Sequence, residues 1–206
     1  MLFHPTVSGY IDIAAVDHWY SSCQKSLDVM ARAYANWMAA GAIGVPPISL
    51  PASVTSSDEV SKHFTNLSNE LELAGILWLV TALEGRFRVD LRSRLRMKDF
   101  LAVRLTKLRD ERGEEFLVPF EAGILEAWKE FLRNAGVQQS LQDVCVNGYG
   151  QIKPLIKLRH WLAHGRYWDA KINVEAFDIA SARNAIDALF KNFSQAALQV
   201  RIPAIP

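Results

Sequence analysis

The chain predicts an all-α fold, a bundle of five to seven helices, on three observations. Apolar residues recur at spacings of three and four along most of its length, alternation of period two is nearly absent, and glycine and proline cluster between the periodic segments. Residues 12–40 form the first helix, carrying Val16, Trp19, Leu27, Met30, Tyr34 and Trp37. From 41 to 57 runs a connector in which Gly44, Pro46, Pro47 and Pro51 block regular structure. Ser56 and Glu59 stand at capping-box spacing and open a long helix through Leu67, Leu71, Trp78 and Leu83. Its stretch Leu73 to Val80 is apolar all round, which places it at the centre of the bundle.

A further helical segment reaches about Arg112 and is ended by Gly113. Glu121 to Asn134 reads as one amphipathic helix through Ile124, Leu125, Trp128, Phe131 and Leu132, with Gly136 as its stop. Gly148 and Gly150 mark a turn into a helix at 151–164, and a last helix at 174–197 buries Ile179, Ala182, Ile186, Leu189, Phe190 and Phe193. The tail with Pro203 and Pro206 reads as loose.

At 206 residues the chain fits a single domain, a size that buries roughly 70% of its unfolded surface. Within it, 1–57 is an additional N-terminal helix with its proline-rich connector, and 58–197 is the bundle proper. A net charge of +1 excludes a globally basic nucleic-acid binder, so any such surface must come from local clustering. Cys23 and Cys145 form no paired motif and read as reduced, buried thiols. There is no signal pattern, and the apolar run Leu73 to Leu83 is about half of a membrane span, so a soluble, cytoplasmic protein with no membrane association is expected.

The chemistry concentrates in Leu158-Arg159-His160-Trp161-Leu162-Ala163-His164-Gly165. Arginine holds phosphate oxygens through a planar fork, and histidine is the side chain suited to moving protons near neutrality. RNA carries its own nucleophile, the 2′-hydroxyl, so a base and a phosphate clamp suffice for its cleavage without a metal or cofactor. On a regular helix Arg159 and His164 project about 140° apart. Either the helix end unwinds at Gly165, or a second subunit completes the site.

This segment resembles the signature of the HEPN ribonucleases, an arginine four to six residues before a histidine with a polar residue after the arginine. A second similarity lies in Leu79-Val80-Thr81-Ala82-Leu83-Glu84-Gly85-Arg86, which is like the "aLE" turn on an early helix of that family. The resemblance spans about 58–197. It implies a HEPN-like bundle and a metal-independent endoribonuclease cutting by 2′-hydroxyl attack. It further implies a homodimer with one shared cleft, acting as a toxin or defence effector, with an antitoxin among its partners and transfer RNA among its targets. By the same resemblance Arg159 binds phosphate and stabilises the transition state, His164 is the general acid/base, His160 is a supporting polar residue and Glu84 an orienting one. Non-catalytic members exist in the family, so an RNA-binding or protein-interaction module is the alternative.

Other readings of the same residues stay open. Arg159 alone suits an ion pair, His164 alone a helix cap, His160 and His164 a metal pair lacking a third ligand, and Glu84 an i,i+4 pair with Arg88. Tyr167 stands three residues after His164, where HEPN toxins modified on tyrosine have it two after; Tyr167-Trp168 reads as a packing element. From Arg86 to Arg109 nine basic residues face only Asp90 and Asp99 within the stretch. Arg88, Arg92 and Arg96 share one helical face there, a candidate RNA-binding track that Lys157 and Arg166 extend toward the signature. No GxSxG, P-loop, GxGxxG or zinc-finger spacing occurs.

Overall fold

Helix α2, Ser57–Arg94, is the spine of the molecule, about 57 Å long at 1.5 Å per residue. In the computed structural model, which describes residues 12–51, 54–164 and 173–202, five more α-helices pack on or around it: α1 (Ile13–Ala39), α3 (Phe100–Arg112), α4 (Glu126–Asn134), α5 (Gln139–Ala163) and α6 (Ile179–Gln199). No strand occurs among the described residues, and the all-α bundle with an additional N-terminal helix is the observed fold. None of their helices is long and apolar enough to cross a membrane.

Local chemistry explains most boundaries. The predicted capping box opens α2: Ser56 Oγ accepts the Glu59 N–H at 3.2 Å, and Glu59 Oε2 accepts the Ser56 N–H at 2.8 Å. Gly113 caps α3 with φ 85°, and Gly136 follows α4 with φ 72°, both in the left-handed region that a side chain disfavours.

Three boundaries differ from expectation. Gly148-Tyr149-Gly150 is helix, not turn, because α5 begins at Gln139 and runs through it. Gly148 and Tyr149 are buried there, Gly148 beside the Leu189 side chain of α6. Glu121–Asn134 is not one α-helix. Phe120–Leu125 forms a π-helical turn, in which the Ile124 N–H reaches back five residues to the Pro119 carbonyl at 3.0 Å. The last helix starts at Ile179 rather than 174; Asp178 caps it by accepting the Ser181 N–H at 2.8 Å, and the extended Phe177 separates it from a 3-10 turn at Val174–Ala176. The tail 203–206 lies outside the described residues.

The main core gathers around Phe87 of α2, whose ring lies 5.7 Å from both Phe120 and Phe190 and 5.9 Å from Phe193. Trp128 is fully buried beside it. Of the run Leu73 to Val80, Ile76, Leu79 and Val80 are buried with Gly75, while Leu73 and Trp78 are only partly covered. Inside this core Asp90 accepts hydrogen bonds from Arg94 Nε at 2.9 Å and Trp128 Nε1 at 3.0 Å. Burial pushes the Asp90 carboxyl up, against the pull of Arg94 and Trp128.

A second, smaller cluster lies along the α1–α2 hairpin, where Tyr34, Val60 and Phe64 are buried among residues of α1, the connector and the start of α2 alone. Trp37 Nε1 donates to the Ile43 carbonyl at 3.0 Å and ties the connector down. Ile13 and Val16, at the other end of α1, belong to the main core. Of the two cysteines only Cys145 is buried, which pushes its thiol up to about 11; Cys23 is half-buried.

Candidate functional site

Helix α5 is locked in register by Ile152, Leu155 and Leu158, buried at spacings of three. The next residue, Arg159, is therefore turned about 100° away from the core contact, toward α2. There Glu84 meets it: Arg159 Nη2 lies 3.2 Å from Glu84 Oε2. The other Glu84 oxygen, Oε1, accepts Arg88 Nη2 at 2.6 Å and Nε at 2.9 Å. One carboxylate, 17% exposed, thus serves two guanidinium groups. The i,i+4 pair of Glu84 with Arg88 and the approach of Glu84 to Arg159 are both present. Arg159 Nε is a buried donor with no acceptor among the described residues, while 32% of the side chain remains exposed.

Arg88 does more than pair. Its Nη1 donates to the carbonyls of Phe116 at 3.4 Å and Val118 at 3.3 Å, bracing the short 3-10 turn Glu115–Leu117 against α2. That brace was invisible in sequence, since 28 and 30 residues separate its partners.

At the C-terminal end of α5, His164 is the cap residue, at φ −93° and ψ 17°, and its N–H still bonds the His160 carbonyl at 3.1 Å. Both histidines are exposed, and their rings meet edge to face with centroids 4.3 Å apart. The signature residues thus form two pairs, Glu84 with Arg159 and His160 with His164. Among the described residues no group of three His, Cys, Asp or Glu gathers in a form that holds a metal ion. Gly165, Arg166, Tyr167 and Trp168 lie outside the described residues.

The basic stretch is far less bare than its sequence reads. Arg92 pairs with Glu115, Arg104 with Glu130 at 3.0 Å, Lys107 with Glu111 at 4.0 Å, Arg109 with Asp110 at 2.6 Å, and Arg94 is buried on Asp90. Arg86 lies with its guanidinium carbon 4.6 Å from the Phe190 ring. Arg88 and Arg92 do share a face of α2. Arg96 does not, because the helix ends at Arg94 and Arg96 sits in the turn beyond it. Arg96, Lys98 and Lys157 are exposed. Counting acids only within the stretch missed Glu84, Glu115 and Glu130, which arrive from other turns and helices. The buried Asp90–Arg94 pair was also missed, though its i,i+4 spacing on the face of Phe87 and Leu91 was a readable signal.

Comparison with known proteins matched the chain to no family model, no curated protein and no solved structure. The functional reading therefore rests on the residues themselves and on the resemblance they carry.

Proposed function

We propose that this chain is a metal-independent endoribonuclease of the HEPN type, working as a homodimer whose two α5 ends line one cleft. The observation that carries the reading is Arg159, held by Glu84 of another helix and followed directly by His160, whose exposed ring meets that of the exposed His164 one turn on. In the reaction a histidine removes the proton of a 2′-hydroxyl, the O2′–P bond forms, and the P–O5′ bond breaks. The 5′-oxygen leaves with a proton, and a 2′,3′-cyclic phosphate remains. Arg159 neutralises charge on the phosphoryl oxygens through its exposed edge. The roughly 140° between Arg159 and His164 along one regular helix, together with the resemblance, favours a second subunit over unwinding at Gly165. A toxin or defence role in the cytoplasm, transfer RNA as target and an antitoxin as partner extend the same reading.

One observation favours a second reading, a non-catalytic module binding RNA or protein. Glu84 already occupies Arg159, and most of the basic track is ion-paired. The experiment that decides is cleavage of total and transfer RNA in EDTA by the wild type, His164→Ala and Arg159→Ala, with end-group analysis and sedimentation of each. The ribonuclease reading expects cyclic phosphate ends from the wild type and a loss of about 10²–10⁴-fold in His164→Ala, with the dimer retained. Cleavage retained in both variants, or none by the folded wild type, overturns it.

A further inference from the structure

The 3-10 turn Glu115–Leu117 carries two consecutive large apolar side chains in the open, Phe116 at 65% and Leu117 at 52% exposure. Its place is set by the phosphate-holding residues. Three successive contacts join it to the signature: the Phe116 carbonyl to Arg88 at 3.4 Å, Arg88 to Glu84 at 2.6 Å, and Glu84 to Arg159 at 3.2 Å. Glu115, on the same turn, is paired with Arg92 of α2. The backbone beneath Phe116 is thus held on both sides while its ring stays in solvent.

We propose that Phe116 is a stacking platform for a base of single-stranded RNA bound at Arg159; the inference rests on the ribonuclease reading and assigns part of its substrate site. Two arginines on one carboxylate leave this cluster with one net positive charge, which suits a phosphate. An exposed aromatic ring on an element tied to a phosphate-binding cluster is the kind of arrangement by which unpaired bases are held without regard to sequence. A ring on a fixed backbone also loses little freedom on binding. A second copy of this chain is the competing occupant. The net positive charge of the cluster that holds the turn favours the nucleic acid, whose phosphates it attracts.

The test uses a single-stranded oligonucleotide methylated at every 2′-oxygen, which removes the nucleophile, together with an abasic strand of the same length. Binding is read by fluorescence anisotropy on the full chain, wild type, Phe116→Ala and Phe116→Trp. Stacking expects Phe116→Ala to bind the base-bearing strand about 5- to 150-fold more weakly and the abasic strand unchanged. Phe116→Trp restores binding, and its indole emission is quenched by the base-bearing strand. Equal binding of that strand by wild type and Phe116→Ala overturns the proposal. So does a Phe116→Ala protein that dissociates in sedimentation while binding RNA normally, which makes the turn a protein contact. A wild type that cleaves RNA while Phe116→Ala binds normally removes the platform alone; a wild type that neither binds nor cuts removes the ribonuclease reading with it.

Discussion

Asp90 and Arg94 decide more about stability than any residue of the candidate site. Their side chains are 3% and 1% exposed, and Trp128 spends its only polar atom on the same carboxylate. Asp90→Ala removes the carboxylate that Arg94 Nε bonds at 2.9 Å and leaves Asp99 at 4.0 Å from the buried guanidinium. Removing one partner of such a pair costs about 3–5 kcal/mol, and urea unfolding at neutral pH should read a loss of that size. A loss below about 1 kcal/mol, the range of a surface pair, means that Arg94 has found water or another acceptor. By contrast Arg104→Ala, breaking a half-exposed pair with Glu130, should fall within that smaller range.

At the scale of elements, the extension of α5 through Gly148 and Gly150 has a direct test. Gly150 has helical backbone, and a Cβ there would meet nothing within 4 Å. Gly150→Ala should therefore stabilise the protein by about 0.5–1 kcal/mol in thermal or urea unfolding; a loss of stability returns the segment to a turn. Pro154, four residues on, deprives the Gly150 carbonyl of its helical partner, but both residues face solvent, where water can take that role.

The start of α2 predicts a pH dependence. Hydrogen bonds from Thr55 and Ser56 lower Glu59 to about 2. A carboxylate depressed on folding contributes stability above its unfolded value, near 4.5, and loses it as pH falls toward 2. Unfolding of the wild type and Glu59→Ala, followed by circular dichroism, should differ most at neutral pH and converge between about 4.5 and 2. A gap that does not narrow in acid places the effect of the substitution elsewhere.

The whole molecule is uneven in how firmly it is held. The main core has Phe87, Trp128, Phe193 and many aliphatics fully buried, whereas the hairpin cluster buries only Tyr34, Val60 and Phe64 among the described residues. Local opening follows such differences in buried contact. Amide exchange should thus be faster at 30–39 and 57–65 than at 76–91 and 186–197, under conditions where the bundle stays folded. Equal protection makes the hairpin one cooperative unit with the bundle. Among the described buried residues, α1 joins the main core through Ile13 and Val16 of its first turns.

Local chemistry made much of this legible in the amino-acid order. Helical periodicity, the Ser56–Glu59 box, and the stops at Gly113 and Gly136 each depend on residues a turn or two apart, so the all-α class and many helix ends were readable. Glu84 and Arg159 were singled out from separate stretches, and the fold brings them within 3.2 Å. What the order of residues left open depends on distance in space. Gly148 and Gly150 read as a turn although the helix runs through both, Gly148 buried against α6; a bare basic track read from its own window until Glu115 and Glu130 arrived from elsewhere. Arg88, one of nine basic residues between Arg86 and Arg109, became the brace of an exposed aromatic turn because α2 carries it to carbonyls 28 and 30 residues away. Propensities and caps act over a helical turn, whereas desolvation, ion pairing and the filling of a core act across whatever surfaces the chain brings together, and only the tertiary structure says which those are.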